Sequence, residues 1–220
     1  KVMTQKEKET IAIHEAGHAT ISWFLEHANP LIKVTIVPRG RALGAAWYMP
    51  EERQITTKEQ MLDEMCATLA GRAAEQICTG HISSGAMNDL ERVTKQAYGM
   101  IAYMGMGEGL QNLCYYNTDE YAFHRPYSET TAQLIDEDVK KMIAEQYDRA
   151  CRILNEHREQ HALLAERLVE REVVFAEDVE EIFGPRPWTS RTEELLATEE
   201  NQGVAEMIND NEKNIESEEA

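Results

Sequence analysis

The stretch "TIAIHEAGHATISWF", residues 10–24, sets two histidines four positions apart, with a glutamate directly after the first. Ile11, His14, His18, Ile21 and Leu25 recur at steps of three and four, the repeat of one helical face. Thr4 stands where an N-cap belongs, Glu7 three residues on completes a capping box, and Asn29-Pro30 supplies the stop. Both histidines therefore lie on the stripe that faces the core, and Glu15 sits beside it, roughly 100° around the helix from His14. One reading is a pair of hydrogen-bonded core histidines with a surface glutamate. The sharper one is the metal-hydrolase spacing H-E-x-x-H, in which two imidazoles converge on one ion from successive turns and the glutamate reaches a water beside it. Two buried polar rings need partners, and a metal supplies them. Only Ala16 and Gly17 stand between the histidines and keep the approach open, although glycine costs a helix about 1 kcal/mol relative to alanine.

Downstream, "LIKVTIVP" sets Ile32, Val34 and Ile36 against Lys33, Thr35 and Val37 and predicts a strand. "RGR" at 39–41 turns the chain into a second extended run, "ALGAAWYMP", so the pair forms a hairpin or part of a small sheet. Thr57 and Gln60 cap a helix carrying Met61, Leu62, Met65, Leu69, Ala73 and Ile77 to about Cys78. A Gly/Ser-rich connection leads to a helix from about Asn88 to Met104. The tyrosine-rich segment at 105–127 reads as a loop or irregular hairpin. A long amphipathic helix is expected at 128–157, with shorter ones at 158–172 and 176–183. The fold class is thus mainly α with one small β-sheet or hairpin, and H-E-x-x-H lies on its first helix. Gly184, Pro185 and Pro187 close a domain at 1–187, leaving 188–220 as an acidic tail.

A chain of 220 residues holds one sizeable core, with or without a tail. Its formal charge of −18 argues against nucleic acid and against an anionic lipid surface. Residues 191–220 hold ten acidic residues against Arg191 and Lys213, a net of −8, the composition of a solvated, disordered segment. No stretch reaches the length of a membrane span, and no signal peptide is visible. Cys66, Cys78, Cys114 and Cys151 lack C-x-x-C spacing; Cys66 and Cys78 fall in one apolar helical pattern, and the set suits a reducing compartment.

A catalytic zinc site takes three protein ligands and leaves one position open. Ile21 and Phe24 occupy the places of the extended H-E-x-x-H-x-x-G-x-x-H motif, so the third ligand comes from elsewhere. His157 and His161 sit in "NEHREQH", which is charged all round, and are expected on the surface. Asp89 shares a helical face with Val93, Ala97 and Met100, where an isolated carboxylate is costly unless paired or metal-bound. Its other role is to complement the helix N-terminus together with Asn88. Glu75 is the rival, though Arg72 on the same stripe is available to pair with it. The pattern favours Asp89 and leaves Glu75 open.

Four segments in order, "HEAGHA", "VTIVPRGRALG", "ATLAGRAAEQI" and "SSGAMNDLERVTKQA", closely resemble the peptidase module of the FtsH family of membrane-anchored AAA+ zinc metalloproteases. The likeness runs from about residue 4 to 184. It implies that His14, His18 and Asp89 bind one Zn²⁺, that Glu15 is the catalytic base, and that Glu75 supports a ligand from behind. It further implies a zinc endopeptidase degrading unfolded or misfolded polypeptides, with substrate laid as an added strand along Ala42, Leu43, Gly44, Ala45 and Ala46. A homohexamer is expected, its candidate interface the long helix at 128–157. The full-length protein is expected in the bacterial inner membrane with this domain facing the cytoplasm, the segment itself making no membrane contact. No G-x-x-x-x-G-K-[ST] occurs, so ATP would bind only in a module outside this sequence, expected before Lys1 along with the membrane anchor. Two readings compete: a non-catalytic assembly or adaptor module that keeps the fold, and a small zinc hydrolase of non-peptide substrates.

Overall fold

Local signals set the first two helices. In the computed structural model, which describes residues 3–40, 42–51, 53–115 and 125–198, Thr4 and Glu7 close a reciprocal capping box on α1 (Gln5–Phe24). Thr57 and Gln60 do the same for α2 (Lys58–Thr79), which Gly80 ends in the left-handed conformation open to glycine (φ +70°). A single 3₁₀ turn, Ser84–Ala86, leads into α3 (Met87–Ala102). Ser128 caps α4 (Glu129–Glu156), and α5 (Arg158–Arg171) and α6 (Ala176–Phe183) follow.

Between α1 and α2, β1 (Leu31–Thr35) and β2 (Ala45–Tyr48) form the expected antiparallel hairpin. A third strand, β3 (Val173–Phe175), pairs antiparallel with the other side of β1 and gives the order β2-β1-β3. Three residues between two helices are too few to show a period of two, and sequence reading passes over them. The expected alternation also fails at Ile32. The register slips between Leu31 and Lys33, so Leu31 is buried and Ile32 turns outward.

The core has three connected parts. Ala12, Ala16, Ala19 and Trp23 of α1 pack on the inner sheet face, α5 and α6 through Val34, Ile36, Val174, Leu164, Leu168 and Val179. Ile21 of α1 meets Cys66, Ala70, Ala73 and Ala74 of α2 and Ala150 and Leu154 of α4. Met65 and Leu69 of α2 join Val93, Ala97 and Met100 of α3 and Ile135 and Met142 of α4. The apolar face of α4 is therefore used inside the chain. Helix α1 lines the first two parts and α2 the last two, and their crossing builds the site.

The C-terminal boundary lies further on than the prolines suggest. The chain stays on the body past Pro187: Trp188 donates its indole N–H to the Phe24 carbonyl (2.9 Å), the Arg191 amide donates to Glu51 Oε1 (2.8 Å), and residues 191–198 are helical. The rest of the expected tail, 199–220, lies outside the described residues, as do 116–124 of the tyrosine-rich segment. Before that gap, Met106 bridges Gln111, and the Tyr115 amide returns to the Ala102 carbonyl at 2.7 Å. No described helix is long and apolar enough to cross a membrane.

Candidate metal centre

Two residues of α1 and one of α3 converge. His14 Nε2 and His18 Nε2 lie 3.1 Å apart, and Asp89 Oδ2 lies 3.2 Å from the first and 3.5 Å from the second. Among the described residues, this is the one group of three or more His, Cys, Asp or Glu side chains whose ligand atoms come close enough to share an ion. Asp89 sits in the first turn of α3, directly after the 3₁₀ turn.

The outward nitrogens of the two rings are also held. His14 Nδ1 lies 2.7 Å from Glu75 Oε1, and His18 Nδ1 lies 2.8 Å from the Ala67 carbonyl. Both partners only accept, so both Nδ1 atoms carry protons. A neutral pair of rings then aims two Nε2 lone pairs at each other and at a carboxylate oxygen. Three lone pairs facing one point repel unless a cation or proton stands among them. In the metal-free protein a proton serves. Burial pulls the His14 imidazolium down, but hydrogen bonds to Asp89 and Glu75 outweigh it and lift it to about 9. Asp89 is held far below the usual carboxylate range: its burial is outweighed by the hydrogen bonds of both histidines. A divalent ion meets the same electrostatic demand with more charge, and imidazole–imidazole–carboxylate donors suit zinc.

Glu75 is nearly inaccessible at 2 % exposure, and its second oxygen accepts the Ser83 amide at 2.8 Å. These bonds outweigh its burial and hold its pKa down, so it stands behind His14 as an anion. Arg72 does not pair with it; the guanidinium donates to the Ser83 carbonyl at 3.0 Å and steadies the loop that serves Glu75. Glu15 is buried next to the cluster, and burial raises its pKa against the pull of the two histidines. It faces the hairpin: a Cβ built on Gly44 would lie 2.7 Å from Glu15 Cγ and 2.8 Å from its Oε1. The segment 42–46 thus passes directly over the glutamate and leads into β2, whose outer edge pairs with no strand among the described residues.

Sequence reading missed two supports. On α2, Gly71 leaves room for the His14 ring, since a Cβ there would overlap Nε2 and lie 2.5 Å from Cε1. Its signal is a glycine inside an apolar helical pattern. The second is His161, expected on the surface but only 2 % exposed. Its Nε2–H donates to the Ile13 carbonyl at 3.0 Å, one residue before His14, and its Nδ1 lies 3.8 Å from the Cys78 sulfur. Cys78 itself is exposed, while Cys66 is buried as the helical pattern requires. His157 is half-buried, stacked on Phe24 at 3.6 Å between ring centroids.

Two imidazoles and a carboxylate around one point, with a buried glutamate beside them under a strand edge left unpaired among the described residues, form the kind of donor set found in metal-dependent hydrolases. The family described as Peptidase family M41 matches residues 1–182, and the chain belongs to that family. It is 63% identical over 202 residues to the ATP-dependent zinc metalloprotease FtsH of Parabacteroides distasonis, covering 91% of this chain and 30% of that protein. It is 48% identical over 193 residues to the protein of the same name from Rhodothermus marinus, covering 86% of this chain and 28% of the relative. An Arabidopsis thaliana relative, ATP-dependent zinc metalloprotease FTSH 3, mitochondrial, is 47% identical over 192 residues, covering 86% and 24%. The chain thus spans less than a third of the length of these relatives.

Proposed function

We propose that this chain is the zinc endopeptidase portion of an ATP-dependent protease that degrades unfolded or misfolded polypeptides. The observation that carries the reading is the meeting of His14, His18 and Asp89 beside Glu15, directly under the free-edged hairpin. His14, His18 and Asp89 would hold the ion; bound there, zinc supplies a Lewis acid that polarises the scissile carbonyl and brings a water's pKa to about 7. Glu75 and the Ala67 carbonyl hold the Nδ1 side of the two rings, which leaves both Nε2 lone pairs for an ion that would bind there. Glu15 takes the proton of the attacking water and passes it to the leaving amine. Its raised pKa suits a group that must accept a proton and then give it up.

Substrate adds to the outer edge of β2 through main-chain hydrogen bonds and runs past Ala42, Leu43, Gly44, Ala45 and Ala46. Gly44 permits this because no side chain comes between the strand and Glu15. Backbone pairing tolerates many sequences, as degradation of whole chains requires. The names of the relatives add ATP dependence, and this sequence has no phosphate-binding loop, so ATP use belongs to a module outside it. The assembly is a homohexamer in the bacterial inner membrane, with this domain on the cytoplasmic side. The complete donor set argues against a non-catalytic adaptor.

The test is Glu15→Gln. It should keep zinc and lose hydrolysis of an unfolded protein, because it removes the base and no ligand. The unmutated chain should cut that protein in a chelator-sensitive way whether or not ATP is present. Loss of zinc in Glu15→Gln, or chelator-resistant cleavage by the unmutated chain, would refute the assignment.

A further inference from the structure

The sheet has a second face. Inward, Ala46 and Tyr48 pack on the core, and the Tyr48 hydroxyl accepts the Ser22 hydroxyl proton at 3.0 Å. Outward, the register sets Trp47 opposite Lys33, and Lys33 opposite Phe175, in one row across the three strands. Trp47 and Phe175 are 44% and 50% exposed. Lys33 Nζ stands 5.6 Å from the Trp47 ring centroid, and the Arg39 guanidinium carbon stands 5.9 Å from it. Together with Thr35, Val37 and Val173 they line a cleft of about 140 Å³. Among the described residues, neither cation has an ion-pair partner, and Glu172, just before β3, is engaged by Lys8 at 2.9 Å. Two cations beside one indole ring, with no ion-pair partner among the described residues, are conspicuous in a chain of net charge −18.

Trp47 belongs to β2, the strand whose outer edge is free. A peptide strand paired to that edge alternates its side chains between the two faces. One set turns inward toward α1; the other continues the row Phe175–Lys33–Trp47 beyond the tryptophan, where directly opposed Cβ atoms lie about 5 Å apart. We propose that Trp47, Lys33 and Arg39 form an outer-face specificity subsite that favours acidic side chains at alternate positions of the bound polypeptide. The indole covers the apolar stem of a glutamate, and the two cations reach its carboxylate. A lysine in the same place meets like charge from both. The subsite rests on the peptidase reading above and adds a preference to a main-chain mode of binding that has none.

The experiment uses extended peptides sharing one cleavage site, with Glu or Lys substituted one position at a time on either side of it. The full chain should prefer Glu over Lys by about fivefold in kcat/KM, what two exposed ion pairs supply, carried by KM and restricted to positions two apart. Lys33→Glu combined with Arg39→Glu should invert that ratio, and Trp47→Ala should flatten it. Absence of discrimination at every position, or discrimination unmoved by the charge reversals, would overturn the subsite. Failure of every peptide to be cut in a chelator-sensitive way would instead count against the peptidase reading. In that event, binding to the Glu15→Gln chain decides the subsite: salt-sensitive quenching of tryptophan emission by the Glu peptide, lost in Trp47→Phe, supports it. Equal binding of Glu and Lys peptides overturns it.

Discussion

Gly71→Ala tests the construction of the centre most directly, because it changes no ligand and no hydrogen-bonding group. The added methyl would overlap His14 Nε2 and stand 2.5 Å from Cε1 and 2.6 Å from Cδ2. Ordinary contact begins at 3.4 Å, so the ring must withdraw by about 1 Å. It cannot do so freely, since Glu75 holds Nδ1 at 2.7 Å and Glu75 is itself fixed by Ser83. Overpacking of this kind costs about 1–3 kcal/mol. Replacing a helix-interior glycine by alanine returns about 1 kcal/mol. The metal-free fold should therefore lose no more than about 2 kcal/mol. The centre should lose far more, because a displacement near 1 Å in a catalytic constellation costs on the order of 100-fold. Elemental analysis, cleavage of an unfolded protein and unfolding midpoints with and without chelator measure the three consequences. Chelator should lower the midpoint of the unmutated chain and leave that of Gly71→Ala almost unmoved. Gly99→Ala on α3 is the control: among the described residues its added Cβ meets nothing within 4 Å beyond its chain neighbours and the backbone of its own helix, so the chain should gain about 0.4–1 kcal/mol and keep its zinc. Full zinc content and near-normal turnover in Gly71→Ala would refute the packing argument.

Asp89→Ala removes a ligand atom and should abolish zinc binding at micromolar metal, whereas Glu75→Gln should weaken it by about 10–100-fold; retention in the first with loss in the second reverses the assignment. His161 gives a pH dependence whose sign follows from its burial, which lowers its pKa below the ordinary 6.5. Below about 6.5 the unfolded chain binds a proton that the folded chain refuses, so stability is complete above that value and falls as pH drops toward the folded pKa, by up to about 1.4 kcal/mol per unit. His161→Gln keeps a donor for Ile13 and should flatten denaturant midpoints between pH 6.5 and 5; an unchanged slope would sink the claim. Arg149→Met leaves Asp63 buried without its 2.7 Å partner, with only the His27 amide at 3.1 Å among the described residues, and should cost about 3–5 kcal/mol in urea unfolding; a loss below 1 kcal/mol would contradict it.

Short-range signals were legible in the sequence. The capping boxes at Thr4 and Thr57 and the pairing of His14 with His18 each depend on residues three or four apart, which pattern reading sees. Asp89 and Glu75 lie 75 and 61 residues from His14, and both meet the same ring, one at Nε2 and the other at Nδ1. No periodicity within one helix separates those roles; only the crossing of α1, α2 and α3 does, and family resemblance stood in for it. At His161 the signal was present and outweighed. The charges of "NEHREQH" point to a surface position, yet His161, Leu164, Ala165 and Leu168 form a helical stripe, and that stripe is what the fold buries. At Ile32 the alternation misleads because a slip in register breaks the pleat.

The crossing of α1 and α2 explains why "ATLAGRAAE" on α2 has the composition it does. His18 meets the Ala67 carbonyl and His14 meets Glu75, so the two helices run in opposite senses and one helix orients both rings. That contact needs the backbones close. A Cβ on Gly17 would lie 2.7 Å from the Ala70 carbonyl oxygen and from the Ala74 methyl, while Ala70, Ala73 and Ala74 are fully buried. Larger residues at these positions would part the helices, and the Ala67 carbonyl would no longer reach His18 Nδ1. The small residues are therefore part of the metal centre, although none touches the ion. They set the interhelical distance at which a main-chain carbonyl and a carboxylate can fix the tautomers of both histidines.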